Sequence, residues 1–114
     1  MQMISIVDVN TIQKRTIKEG IEMRVLAWGG SLMMTQVFFT KGATSDPHSH
    51  KHEQLSYIVE GDFIYLIDNE EYEVKQGYSI YIPSNVLHWV KAITDGSIID
   101  VFTPIREDFL KKGD

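Results

Sequence analysis

The segment Gly42-Ala43-Thr44-Ser45-Asp46-Pro47-His48-Ser49-His50-Lys51-His52-Glu53-Gln54-Leu55-Ser56-Tyr57-Ile58-Val59-Glu60-Gly61 carries three of the four histidines of the chain. Its second half, Leu55 to Val59, is rich in β-formers and runs into the turn signal Glu60-Gly61-Asp62. In extended backbone, residues i and i+2 point to the same side. His48 and His50 can therefore aim two imidazoles at one point. His88, far along the chain, would close a facial set around a cation if a neighbouring strand brought it near. Imidazole suits zinc, nickel, copper, iron or manganese. The competing reading of the histidine pair is a solvated His-rich loop. His52 has the parity to join the set. Glu53 and Gln54 are rival fourth ligands that must face opposite ways.

Short strands separated by turn residues extend outward from this segment. Upstream, Leu32 to Phe39 ends at Thr40-Lys41-Gly42. Downstream come Phe63 to Ile67, Glu71 to Val74, Tyr78 to Ile82, His88 to Ile93 and Ile98 to Thr103. Turns at Asp68-Asn69, Lys75-Gln76-Gly77, Pro83-Ser84-Asn85 and Asp95-Gly96 divide them. Such spacing predicts an all-β sandwich or barrel. Pro104 suits a helix start, and Ile105, Phe109 and Leu110 could share one apolar face, which predicts a short C-terminal helix from Pro104 to Lys112.

With 114 residues the chain has the size of a single domain, 1–114. Apolar residues make up 43 %, enough for a core, and the formal net charge of -5 disfavours nucleic acid and anionic membranes as partners. There is no cysteine, so neither disulfides nor thiolate ligands contribute. No basic and apolar leader and no membrane-length apolar run is present, and the expected location is cytoplasmic.

Asp100 is the single charge in the apolar run Ile98 to Phe102. Inside a barrel it would need a cation or hydrogen-bond donors; the alternative is an outward-facing residue at a strand end. Arg106, six residues on, presents a planar fork that grips carboxylates; its alternative is a surface ion pair with Glu107 or Asp108. Tyr57, Tyr65, Tyr81, Trp89 and Phe38 read as core or sheet-face packing.

The spacing of Gly42, His48, His50, Gln54 and Gly61, followed by that of Gly77, Pro83, Asn85 and His88, resembles the two motifs of the cupin superfamily, at 42–61 and 77–92. The resemblance implies a single cupin (double-stranded β-helix, jelly-roll) barrel with a metal inside one end. Its register makes Gln54 the fourth ligand beside His48, His50 and His88, and gives His52 no ligand role. The superfamily usually carries Glu at Gln54, Gly at Asn85 and Asn at Ala92. Asn85 can still adopt positive φ in a turn. A neutral amide ligand leaves the charge of a divalent ion uncompensated, which weakens binding and sharpens Lewis acidity.

A closer resemblance is to the KdgF group of pectin-degradation cupins. It rests on Ala27-Trp28-Gly29 with Leu32-Met33-Met34, on His48-Ser49-His50 with His52-Glu53-Gln54, on Pro83-Ser84-Asn85 with His88, and on Asp100 to Pro104 with Arg106 to Leu110. Lys51 stands where the group often has proline. The group's activity implies metal-dependent linearisation of 4,5-unsaturated monouronates, from pectin or alginate breakdown, to open-chain keto sugars. By matching position, Asp100, Phe102, Arg106 and Gln54 would line the catalytic site. The cofactor would be one divalent transition metal ion, with nickel, zinc or manganese sufficient because no redox change occurs. The partners implied are a small uronate and a second copy of the chain, with the segment Ile4 to Val9 one candidate for the pairing. Alternatives are another metal-dependent cupin enzyme, such as a dioxygenase, or a non-enzymatic sugar-binding cupin.

Overall fold

The computed structural model describes residues 3–110. Among the described residues nine strands are joined by turns and one long loop: β1 (Arg15–Lys18), β2 (Ile21–Gly29), β3 (Leu32–Phe39), β4 (Glu53–Glu60), β5 (Asp62–Ile67), β6 (Glu70–Lys75), β7 (Ser79–Ile82), β8 (His88–Ala92) and β9 (Gly96–Thr103). They form a six-stranded sheet in the order β1-β2-β3-β9-β4-β7 and a three-stranded sheet in the order β6-β5-β8. All neighbours are antiparallel. The all-β expectation holds, and two strands, β1 and β2, were not anticipated.

Alternation sorts the residues between barrel interior and outside. On β4, Gln54, Ser56 and Ile58 are buried while Glu53, Leu55 and Tyr57 are exposed. On β9, Ile98, Asp100 and Phe102 are buried. Each inward row then changes character along the strand. Ile98 and Ile58 pack with Phe63, Val90, Ala92 and Phe39 in an apolar cluster at one end, where the Phe39 and Phe63 rings meet edge-on at 5.3 Å. Farther along β4 and β9, toward Thr103, the inward residues become Ser56, Asp100 and Gln54. The barrel is therefore dry and close-packed at one end and polar at the other.

Two backbone features fix the polar end. Residues Ala43 to His48 run antiparallel to β8, with reciprocal His48–His88 backbone hydrogen bonds of 3.0 and 2.9 Å. Asn85, at φ +64°, turns the chain so that its N–H donates to the His50 carbonyl at 2.7 Å. The positive φ expected of Asn85 is thus present. The turn glycine Gly61 has φ +95°, and a Cβ there would lie 2.5 Å from the Asp95 carbonyl oxygen. Steric closeness and handedness both demand glycine.

The expected C-terminal helix over Pro104 to Lys112 is a correction. The segment forms only a 3-10 turn, Glu107–Leu110, closed by an i→i+3 bond from the Phe109 N–H to the Arg106 carbonyl; Lys111 and Lys112 lie outside the described residues. Tertiary partners take the place of helical bonds here. The Ile105 carbonyl accepts from His52, the Phe109 carbonyl accepts from Arg15 at 2.7 Å, and the Phe109 ring docks on Phe102 at 5.8 Å. The apolar grouping of Phe109 and its neighbours reflects docking rather than helical periodicity. Residues 3–8 make no strand either, and Met3, Ile4 and Ile6 stand exposed.

Candidate metal centre

The His48, His50 and His88 rings converge at the polar end, with one nitrogen of each lying within 4.8 Å of the others. Each ring is oriented by a backbone carbonyl at Nδ1: Asp46 for His48 at 2.8 Å, His52 for His50 at 3.0 Å and Val86 for His88 at 2.9 Å. A neutral imidazole has one N–H, and each carbonyl calls for it at Nδ1. The lone pairs are then left on Nε2. This is the outer-shell arrangement that fixes tautomer and aim in metal-binding histidines.

Two observations test whether a cation suits the site. His88 Nε2 is buried and has no hydrogen-bond partner among the described residues. Burial drives the His88 pKa down to about 4, so this nitrogen is a bare acceptor at neutral pH. His50 Nε2 lies 3.2 Å from Gln54 Oε1. Burial, and then the charge of Arg106, lower the His50 pKa. A neutral His50 with its proton on Nδ1 therefore sets a lone pair against an amide oxygen. Two acceptors facing each other without a proton repel, and a cation between them removes the repulsion. The donor set fits a divalent ion.

Parity decides between the two rival residues of β4. Gln54 is buried and faces the histidines, with its amide nitrogen 3.1 Å from Ser56 Oγ and 3.3 Å from Asp100 Oδ1. Those two acceptors hold the NH2 group and turn Oε1 toward His50. Glu53 lies on the outer face and accepts a hydrogen bond from the Tyr81 hydroxyl. His52 is buried beside the cluster, its Nε2–H donating to the Ile105 carbonyl at 3.1 Å. Its own carbonyl holds His50, so one residue links a candidate ligand to the turn bearing Arg106.

Beneath the histidines lies a cavity of about 260 Å³. His48, Gln54, His88, Asp100, Phe102 and Arg106 all line it. Asp100 points inward from β9, which removes the outward-facing alternative, and accepts from Ser56 Oγ at 2.5 Å. Burial raises its pKa from 3.8 to about 6, against the opposing pull of Ser56, Gln54 and Arg106. Phe102 is 3 % exposed and sets its ring edge-on to His50 at 5.9 Å. Arg106 packs against the Phe102–Phe109 ring pair, its guanidinium carbon 5.1 and 4.1 Å from the two ring centroids.

The ion pair of Arg106 with Asp108 is also real, with Nε and Nη2 bonded to the two carboxylate oxygens at 3.1 and 3.0 Å. The two readings of Arg106 are compatible. Asp108 holds one edge of the guanidinium and leaves the end-on edge for a ligand. Several residues of the site escaped the sequence reading: Thr35, Tyr65 and Phe109 line the cavity, and Ser56 holds Asp100 from beside it. Ser56 had a usable signal, because it lies two residues from Gln54 and shares its face. Thr35 had a similar one, as a polar side chain inside the run Leu32 to Phe39.

A protein-family model described as "Cupin domain" matches residues 36–102. The chain is 38 % identical over 94 residues to the Pectin degradation protein KdgF of Dickeya dadantii, covering 81 % of this chain and 86 % of that one. Among solved structures it resembles an RmlC-like cupin from Shewanella frigidimarina, with a TM-score of 0.89, 33 % identity and coverage of 95 % of this chain and 97 % of that one. It also resembles KdgF from a Halomonas species, with a TM-score of 0.88, 29 % identity and coverage of 93 % and 98 %.

Proposed function

The chain belongs to the cupin family, and from that premise we propose that it is a metal-dependent enzyme linearising 4,5-unsaturated monouronates, its single domain spanning 1–114. The observation that carries this reading is one cavity shared by His48, Gln54, His88, Asp100, Phe102 and Arg106. It unites a cation-binding end, a buried carboxylate and a guanidinium, the three elements that a small sugar acid undergoing proton transfer requires. The similarity to two KdgF proteins, one of them described as a pectin degradation protein, supports a substrate from pectin breakdown.

The proposed ligands are His48, His50, Gln54 and His88. A divalent ion held there would supply Lewis acidity toward an oxygen of the substrate; nickel, zinc or manganese each accepts this donor set. Arg106 binds the substrate carboxylate through its free edge, its guanidinium packed against Phe102 and Phe109. Phe102 forms the wall against which the ring lies. Asp100 accepts the proton of the anomeric hydroxyl as the bond from that carbon to the ring oxygen breaks, leaving an aldehyde and an enolate. The enolate takes a proton at carbon and becomes a ketone. One proton leaves oxygen, one arrives at carbon, and no electron is exchanged with an outside reagent. Ser56 and Gln54 hold Asp100 at one oxygen, so its other oxygen is available for the transfer.

The test is incubation of nickel- or zinc-loaded protein with 4,5-unsaturated galacturonate, followed by ultraviolet absorbance. The enol-ether band should disappear well above the spontaneous rate. Decay at the buffer rate with protein that has retained its metal refutes the reading.

The enzyme is proposed to act in the cytoplasm as a homodimer. Support for pairing comes from the outer face of the large sheet. Met34, Val101, Leu55 and Tyr81 form one cross-strand row, with Ile99 and Tyr57 in the next. Leu55, Tyr57 and Tyr81 are each at least half exposed. An uncharged apolar centre edged by Glu53, Arg24 and Glu60 has the anatomy of an interface. Sedimentation equilibrium should give a dimer that Leu55→Glu dissociates; a monomeric wild type at micromolar concentration ends this part of the proposal.

A further inference from the structure

The inner face of the large sheet carries one polar row. Thr35 on β3, Asp100 on β9 and Ser56 on β4 are direct cross-strand partners. Met33, Phe102 and Gln54 form the row above it, and the apolar Val37, Ile98 and Ile58 the row below. From the facing sheet, Tyr65 lines the same cavity. Ser56, Asp100 and Gln54 satisfy one another. Thr35 does not join them. Its side chain is 0 % exposed, and its Oγ1 has no hydrogen-bond partner among the described residues.

A hydroxyl buried without a partner is destabilising, because it has given up its water and gained nothing in return. Valine has nearly the same shape, would fill the same space, and would avoid that cost. Thr35 lines the same cavity as the candidate site and stands beside Asp100 on the neighbouring strand. Cross-strand neighbours have Cβ atoms about 4.5–5.5 Å apart, so one group entering the cavity can touch both. A hydroxyl is the matching group, because it can donate to a carboxylate and accept from Thr35 at once. A carboxylate is the wrong match, because Asp100 would repel it, and an apolar group would leave Thr35 unpaired.

We propose that Thr35 and Asp100 form a subsite for the ring hydroxyls of the ligand, and that Thr35 is a specificity-determining residue. This rests on the uronate reading for its substrate and deepens it. With the carboxylate at Arg106, the opposite edge of the sugar ring, which bears the hydroxyls, faces the polar row. The unsaturated monouronates released from pectin and from alginate share every functional group and differ in the relative configuration of their two non-anomeric ring hydroxyls. A single oriented hydroxyl at the floor of the cavity can separate them.

The experiment compares wild type, Thr35→Val and Thr35→Ser on both monouronates, with metal content and thermal stability measured for each variant. Thr35→Val should keep its metal and its fold and change the ratio of the two kcat/KM values by about 10-fold, the size of one neutral hydrogen bond. Thr35→Ser should restore the wild-type ratio. An unchanged ratio, or equal loss on both substrates, overturns the inference and assigns the hydroxyl to packing or to an internal water. If wild type turns over neither substrate, the uronate reading fails separately. Thermal shifts of metal-loaded wild type and Thr35→Val with saturated galacturonate and its 2-deoxy analogue then decide the subsite. A hydroxyl-dependent shift lost in Thr35→Val keeps it, and equal shifts in the two proteins remove it.

Discussion

Replacing His88 with alanine should abolish both metal binding and turnover. His88 is 2 % exposed, and its Nε2 is the one ring nitrogen of the three candidate histidine ligands that is buried without a partner among the described residues. Burial holds it neutral, with a pKa of about 4, so it is ready to bind a cation without first losing a proton. Loss of an outer-shell partner typically costs a metal site 10–100-fold in affinity, and loss of a ligand should exceed about 100-fold. The clearest readout is independent of activity. A ligand present at 100 times its Kd stabilises the folded state by about 2.7 kcal/mol. Nickel or zinc should raise the Tm of wild type by about 10 °C or more on that scale, and should leave His88→Ala unmoved. The metal-free His88→Ala protein should still fold, since the substitution also removes an unsatisfied nitrogen. An equal metal-induced shift in both proteins would place the ion elsewhere.

Much of this site is legible in the sequence because strand alternation is a strong constraint. A period of 2 places His48, His50 and Gln54 on one side and sends Glu53 to the other. The same rule turns Asp100 and Phe102 inward together. What alternation cannot report is the identity of the facing strand. That Thr35 stands beside Asp100, and Ser56 on its other side, depends on the β3-β9-β4 order, which joins strands from opposite ends of the chain. The buried polar row is a property of pairing, and no single strand displays it.

The C-terminal segment shows the opposite failure. Ile105, Phe109 and Leu110 have helical spacing, yet a turn results. Four residues gain little from helix formation alone, since nucleation fixes several residues for one hydrogen bond. The Phe109 ring gains more by docking on Phe102 and covering Arg106. Its carbonyl gains a charged donor in Arg15. Those partners are 94 residues apart in the case of Arg15 and Phe109, beyond the reach of any local pattern. Missing β1 has the same root. Its sequence Arg15-Thr16-Ile17-Lys18 has no apolar stripe. Its pairing is secured instead by β2 and by the Lys18–Asp46 ion pair of 2.8 Å.

Asp100→Asn should reduce turnover by about 100-fold or more, the usual range for a positioned proton-transfer group, and should at the same time stabilise the metal-free protein at neutral pH. Burial raises the Asp100 pKa from 3.8 to about 6, so the folded chain holds this proton more tightly than the unfolded chain. The contribution is favourable below about pH 4 and is lost as pH rises through 6. A tenfold change in proton affinity is worth about 1.4 kcal/mol, so the loss between those limits is on the order of 3 kcal/mol at most. Asparagine has no proton to release, and its carbonyl oxygen can still accept from Ser56 and Gln54. Urea denaturation of metal-free protein should therefore show similar stabilities for wild type and Asp100→Asn near pH 4 and a growing advantage for the variant up to about pH 7. Added metal should narrow that advantage, because a cation near Asp100 stabilises the carboxylate and cannot stabilise the amide in the same way. Parallel pH–stability curves for the two proteins would mean that Asp100 is not the buried, proton-holding group this site requires. A stable variant with undiminished turnover would move the proton transfer to another residue.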